Sequence, residues 1–108
     1  MTAFEKILAR YGSEVMVYTD KEDAGVGARA LMQPIRDKDR LDAASPLGWG
    51  RNERWLYLGQ PEVSVDVGPE GFLRWGGMEF SVFSARKVCL GRESCHWCGI
   101  LERREENL

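Results

Sequence analysis

The chain has 108 residues, is 44% hydrophobic and 30% charged, and carries a formal net charge of −2. A length of about 100–150 residues is typical of one domain, and the apolar content is too high for a disordered chain. The sequence contains no apolar run of about 18 residues and no secretory signal pattern, so we expect neither a membrane-spanning helix nor export. The near-neutral charge also argues against a general nucleic-acid-binding surface.

The first predicted element is a short amphipathic helix. Four apolar residues recur at helical spacing: Phe4, Ile7, Leu8 and Tyr11. Thr2 and Glu5 have the spacing of a capping box, and Gly12 is a typical residue to end a helix. A helix of this length is unstable alone, so its apolar face must pack on the rest of the chain.

Two strands and a long loop are predicted next. A β-branched run predicts a strand near residues 14–19, and alternation predicts a second at 26–35. The second strand should end at Pro34, which cannot donate to a sheet ladder. Residues 36–52 then lack clear periodicity, and such long connections in a domain are usually functional or disordered, so we predict a mobile loop there.

The strand pattern resumes at residues 53–59. Trp55 and Tyr57 share one face of this strand, and Leu56 and Leu58 share the other. Valine and polar residues alternate again at 63–67.

The second half of the chain has the pattern of hairpins. Gly76-Gly77 fits a two-residue hairpin loop that needs positive φ. The flanking arms are residues 72–75 and 78–88, a last strand follows at 94–103, and residues 103–108 are expected to form a flexible tail. The whole predicts a single mainly β domain over residues 1–108. We expect a small antiparallel β-barrel or sandwich of about six strands, with a short N-terminal helix and one long loop.

Cysteine and histidine cluster near the C-terminus, as Cys89, Cys95, His96 and Cys98. These are the donor atoms of a tetrahedral zinc site, but a zinc ribbon needs a second Cys-x-x-Cys, and residues 95 and 98 of a strand face opposite ways. A redox-active Cys-x-x-Cys motif lies at the N-terminal end of a helix, whereas Cys95 and Cys98 lie in a predicted strand. We therefore interpret the three cysteines as reduced packing residues, with a small zinc-binding or redox protein as the alternative.

The sequence contains no motif of a catalytic or phosphate-binding site. His96 is the sole histidine, and its neighbour Cys95 should project from the opposite face of the strand, so the two do not form a catalytic pair. Gly25-Val26-Gly27 lacks the strand-to-helix context of a phosphate-binding loop. We expect a protein that is not an enzyme and needs no cofactor.

Aromatic residues interleave with arginines and raise a further alternative. The aromatic set is Trp49, Trp55, Tyr57, Trp75 and Phe80, and the basic set is Arg51, Arg54 and Arg74. Together they could form a stacking platform for single-stranded nucleic acid on an OB-like barrel. Most of these aromatic residues alternate as core residues would. Trp49, in a glycine-flanked loop, is instead a candidate interface anchor.

The order of motifs resembles the small head–tail joining proteins of tailed bacteriophages and prophages. The resemblance rests on the run VDVGPEGFLRWGGMEFSVFSARKV, the later run SCHWCGILER, and an opening helix, strand and Gly-Ala-Arg-Ala-Leu strand that ends near a proline. Glu70 stands in the turn where the family usually has aspartate, and the cysteine cluster is not a family feature. The loop at 36–52 falls where such proteins often carry a mobile loop.

The resemblance implies a structural role in the virion. Copies would form a ring beneath the portal, contacting portal or adaptor and tail proteins, with DNA only as passing cargo and no membrane. The implied location is the bacterial cytoplasm during assembly and then the virion. Contacts would come from the helix, the tail at 103–108 and the loop, whose interface residues would be Arg36, Lys38, Arg40, Trp49 and Arg51.

Overall fold

The computed structural model describes residues 3–35, 53–91 and 94–104. These residues form one α-helix and six β-strands. The helix α1 is Ala3–Tyr11, and the strands are β1 Ser13–Tyr18, β2 Val26–Pro34, β3 Arg54–Gly59, β4 Phe72–Trp75, β5 Met78–Leu90 and β6 Ser94–Arg103. The predicted loop at 36–52 lies outside the described residues.

The six strands form a closed barrel in the order β1-β2-β3-β6-β5-β4, and β4 pairs with β1 to complete it. Every pairing is antiparallel. The prediction of a mainly β fold is confirmed, and the structure selects the barrel rather than the sandwich. The last strand, β6, lies between β3 and β5.

Alternate strand residues face the interior and form the core together with Val65 of the β3–β4 connection. Its buried members are Val15, Val17, Ala28, Ala30, Tyr57, Val65, Leu73, Phe80 and Leu101. The predicted faces of β3 are confirmed, because Tyr57 is fully buried and Trp55 packs against the core, while Leu56 and Leu58 lie on the outer face. The alternation of large and small inward residues fills the narrow interior of a six-stranded barrel.

The strand-like pattern at 63–67 does not form a strand. Residues 60–71 cross one end of the barrel from β3 to β4, and Val65 is fully buried in the core. Residues 60–71 therefore form a plug at this end of the barrel, with Val65 pointing inward. The alternation of valine and polar residues does not reflect pairing in the sheet. At the two ends of the plug, Gln60 donates its backbone N–H to the carbonyl of Arg29 (3.1 Å), and Phe72 pairs with Tyr18.

The helix packs on the outside of the barrel and is held by a strand residue. Arg29 of β2 donates from Nε to the carbonyl of Leu8 (2.9 Å) and from Nη2 to that of Ala9 (3.2 Å), which satisfies carbonyls in the last helical turns. Leu8 is buried, but Ile7 and Tyr11 are exposed. The predicted apolar face is therefore only partly covered.

The glycine turn between β4 and β5 is confirmed. Gly76 and Gly77 have φ values of 59° and 79°, which suit a hairpin loop twisted like its strands. The predicted tail begins later than residue 103, because β6 includes Arg103 and Arg104 donates its backbone N–H to the carbonyl of Glu79 (2.8 Å). Residues 105–108 lie outside the described part of the chain.

The β5–β6 hairpin extends past the rim of the barrel. The β3–β6 ladder runs from Arg54↔Glu102 to Gly59↔Trp97. Beyond Trp97, residues 94–96 pair only with β5 among the residues that the structure describes. This projecting part of the hairpin lies at the same end of the barrel as the plug and the β1–β2 turn at residues 19–25. At this end Tyr18 and Gly59 end their strands, and Val26 begins its strand.

Candidate functional site

A disulfide closes the projecting hairpin. Cys89 and Cys95 are directly paired across β5 and β6, with Cα atoms 4.0 Å apart, and their sulfur atoms are bonded. The interpretation of all three cysteines as reduced packing residues is therefore wrong for this pair. A signal was present in the sequence: two cysteines flank Gly91 at a spacing that puts them opposite each other in a tight hairpin.

The other two candidate donors lie on the opposite face of β6. Cys98 is a free thiol, and the His96 ring packs on Phe4 of α1 with ring centroids 4.7 Å apart. The strand therefore separates Cys89 and Cys95 from His96 and Cys98, as the alternation argument predicts. In the described ranges, no group of three or more histidine, cysteine, aspartate or glutamate side chains is placed to hold a metal ion.

Four aromatic residues of the proposed stacking platform pack in the barrel instead, namely Trp55, Tyr57, Trp75 and Phe80, while Trp49 lies outside the described residues. Trp55 meets Trp75 and Phe80 edge-on, with centroid distances of 5.4 and 5.7 Å, and Tyr57 is buried below them in the core. Trp55 also donates its Nε1–H to Glu53 (2.7 Å). These contacts assign the rings to core packing.

An aromatic–arginine cluster on the outer surface was not predicted. It consists of Tyr18, Phe72, Arg74, Glu79 and Arg104. Tyr18 stacks on Phe72 with centroids 4.6 Å apart, and guanidinium groups of both arginines lie over the Phe72 ring. Each arginine also bonds Glu79, Arg104 at 2.7 Å and Arg74 at 3.3 Å. Partial burial raises the pKa of Glu79, but the hydrogen bonds from Arg104 and Arg74 outweigh it and lower that pKa overall.

A second outer contact surrounds a β-bulge in β5. The register shifts between Val82 and Ser84, and the intervening Phe83 turns outward and is exposed. Arg54 lies over its ring at 4.3 Å and pairs with Glu102 at 3.2 Å. A β-bulge changes the direction in which a side chain points. Alternation in the sequence does not show where a bulge occurs, so the outward position of Phe83 was not predictable.

The residues predicted as an interface cannot be placed. Arg36, Lys38, Arg40, Trp49 and Arg51 all lie in residues 36–52, outside the described part of the chain. Of the predicted contact elements, the structure describes α1 and the start of the predicted tail. Arg103 and Arg104 are held there by ion pairs to Glu53 and Glu79.

Comparison of the chain with protein-family models, curated proteins and solved structures found no match. Among the described residues, the one helix is too short and too polar to cross a membrane.

Reducing the disulfide is expected to lower the free energy of unfolding by about 2 kcal/mol. The bond closes a loop of only a few residues, so it restricts the unfolded chain less than a long-range bond would. Thermal melting of the oxidised protein, of the reduced protein and of the double variant Cys89→Ser/Cys95→Ser measures this. The Cys98→Ser variant is the matched control and should retain the response to a dithiol reductant. Equal melting temperatures before and after reduction would contradict the prediction.

Proposed function

We propose that this protein is a non-enzymatic structural component of a tailed phage or prophage virion that joins head and tail as a ring beneath the portal. The proposal rests on the resemblance of the sequence to head–tail joining proteins. The observation that supports it best is the order of elements: a short helix, two strands, a long connection at 36–52 and four further strands, arranged as one closed barrel.

The surface of the barrel carries exposed apolar residues on several sides, which is compatible with assembly contacts. Exposed large apolar residues are distributed over several elements: Ile7, Tyr11, Val26, Ile35, Phe83 and Leu90. Scattered exposed apolar residues are normal on a monomer, but contacts with several neighbours at once also require apolar residues on several sides. The projecting hairpin adds an arm that can reach beyond the barrel.

Deleting the reading frame from a phage that encodes it tests the proposal. We expect filled heads and free tails to accumulate separately in the lysate, as seen by electron microscopy, and purified protein to join them when added. Joined particles formed without the protein would contradict the proposal. The matched control is the same lysate supplemented with heat-unfolded protein.

The loop at 36–52 is the predicted contact with the portal. Replacing it with a short glycine–serine linker should leave the barrel folded, because it connects β2 to β3, which are already paired in register. The variant should melt like the wild type but fail to join heads to tails. A folded variant that joins particles normally would overturn the assignment of Arg36, Lys38, Arg40, Trp49 and Arg51 to this contact.

The alternatives have direct tests. A zinc site would require the hairpin cysteines in their thiolate form, and metal analysis of reduced protein purified without chelator would reveal stoichiometric zinc. An OB-like single-strand binder would bind oligonucleotides with an affinity that falls steeply with salt.

A further inference from the structure

We infer that the free edge of β5 binds an extended acidic segment of a partner protein, which adds to the sheet as a further strand. The free edge is the part of β5 beyond its pairing with β4, and its available backbone groups lie within residues 84–90. The inference goes beyond head–tail joining and does not depend on it. It follows from which backbone groups of β5 are already bonded and from the charges beside the others.

The strand β5 is much longer than its neighbour on one side. It has 13 residues, Met78–Leu90, whereas β4 has 4 residues and pairs with β5 only at 78–80. On its other side, β6 pairs with β5 from Phe80 to Leu90. Among the residues that the structure describes, the rest of β5 therefore has a neighbouring strand on one edge only.

Two backbone hydrogen bonds show which residues of β6 bond β5. Arg103 donates its N–H to the carbonyl of Glu53, next to β3 (2.8 Å). Arg104 donates its N–H to the carbonyl of Glu79 in β5 (2.8 Å). Because successive residues of a strand point their N–H and C=O groups to opposite edges, the even-numbered residues of β6 bond β5. Through the register, their partners in β5 are residues 84, 86, 88 and 90.

The odd-numbered residues of β5, Ala85, Lys87 and Cys89, therefore point their N–H and C=O groups away from β6. The Cα atoms of Cys89 and Cys95 are 4.0 Å apart, which agrees with the close spacing of a pair that exchanges no backbone hydrogen bond. In the described ranges, no strand pairing or turn bond uses these groups. Three donors and three acceptors thus lie along one edge, a template for an added strand.

The same edge carries two positive charges, one on each face of the sheet. Arg86 pairs with Cys98 on the outer face, and Lys87 pairs with Trp97 on the inner face. Both side chains are exposed, and neither forms an ion pair with a described residue. Residues 81–90 include no acidic side chain. An added strand therefore gains most from acidic side chains at two successive positions, one over each face.

A second copy of β5 is a poor occupant of this edge. Its own Arg86 and Lys87 would lie along the shared edge, where like charges on neighbouring strands are destabilising. Basic side chains on an edge strand are a common protection against such self-pairing.

The residues that follow on the outer face define the rest of the partner segment. Val88 is half-buried and Leu90 is 69% exposed, so both favour apolar side chains opposite them. For an antiparallel strand, the residues opposite Leu90, Val88, Lys87 and Arg86 come in that order along the partner chain. The segment that fits is therefore apolar, any residue, apolar, acidic, acidic.

Nuclear magnetic resonance of the isotope-labelled, oxidised full chain tests the inference. In the free protein, amide hydrogen exchange should be fast at Lys87 and Cys89 and slow at Arg86 and Val88. The probe is the peptide acetyl-Thr-Val-Thr-Val-Glu-Glu-Thr-amide, which should shift and protect the amides of Lys87 and Cys89. A peptide with two lysines in place of the glutamates should bind about tenfold more weakly or less.

Two methylated peptides separate strand addition from charge attraction alone. The first glutamate of the probe lies opposite Lys87, so methylating its backbone nitrogen removes a donor to the edge and should abolish binding. The N–H of the second glutamate points away from β5, so methylation there is the matched control and should leave binding nearly unchanged.

Variants of the protein test the same contact from the other side. Arg86→Glu/Lys87→Glu should prefer the lysine peptide over the glutamate peptide, and Arg86→Lys/Lys87→Arg should bind like the wild type. Lys87→Pro removes an N–H from the free edge but none from the ladder with β6, so it should melt like the wild type and lose binding. Circular dichroism checks that each variant is folded.

Three outcomes would overturn the inference: slow exchange at Lys87 and Cys89 in the free protein, no shift of these amides at millimolar peptide, or equal binding of the two methylated peptides. Shifts of the same amides with rising protein concentration and no peptide would show that a second copy occupies the edge, and would also overturn it. None of these measurements involves heads or tails, so their failure leaves the proposed function to the deletion lysate.

Discussion

Replacing Gly59 with alanine is expected to lower the free energy of unfolding by about 3 kcal/mol. A Cβ atom at this position would overlap Cε1, Cζ and the hydroxyl oxygen of Tyr57. The Tyr57 ring is 0% exposed and is packed on all sides by the core, so it cannot move aside as a surface side chain would. Urea unfolding followed by tryptophan fluorescence measures the change.

A matched control separates this overlap from the general cost of changing a strand glycine. A Cβ at Gly27 would meet only the carboxylate end of the exposed Glu14, which can rotate away, so Gly27→Ala should be nearly neutral. In a Tyr57→Leu background, Gly59→Ala should cost much less than in the wild type, since the obstructing atoms are gone. Equal costs in both backgrounds would show that Tyr57 is not the cause.

Raising the pH from 10 to 12 is expected to remove about 2 kcal/mol of stability through Tyr57 alone. Burial raises the pKa of Tyr57 from 10.0 to about 12. The folded state therefore keeps its phenol proton over a range in which the unfolded state has lost it. The contribution of Tyr57 to stability is fully present below its pKa in the unfolded state, 10.0. It is lost as the pH rises through its pKa in the folded state, about 12.

The Tyr57→Phe variant is the control for this pH dependence. It should lose less stability between pH 10 and 12, the difference being the contribution of Tyr57. At pH 7 it should also be about 1 kcal/mol more stable than the wild type, because the buried hydroxyl finds no hydrogen-bond partner among the described residues. Parallel stability curves for the two proteins above pH 10 would rule out Tyr57 as the titrating group.

The parts of the fold that local patterns determine were predictable. Pro34 ends β2, Gly76-Gly77 forms the turn between β4 and β5, and alternation placed Tyr57 and Leu58 on opposite faces of β3. Each of these depends on residues within one strand or turn, where sterics and the pleat of the strand decide the outcome.

The parts that depend on distant residues were not predictable. The valines at 63–67 alternate as in a strand, but Val65 is instead used to plug the barrel, a choice that depends on the space left beside Gly99. Likewise, α1 buries Leu8 rather than its whole apolar face because Arg29, twenty-one residues away in the chain, fixes its C-terminal end. The cluster around Phe72 and Glu79 also needs Arg104, which reaches it because β6 runs along β5 as far as the pair Phe80↔Arg103.

The position of β6 in the barrel has a consequence for how the chain folds. Because β6 is inserted between β3 and β5, neither of those strands has its full set of partners until residues through Arg103 have left the ribosome. The nascent chain must therefore carry unpaired β3 and β5 edges during synthesis, and barrel closure has to wait for the last strand. Pairings between residues so far apart in the chain make folding slow relative to a helical domain of the same size, so the newly made protein depends on late, concerted closure.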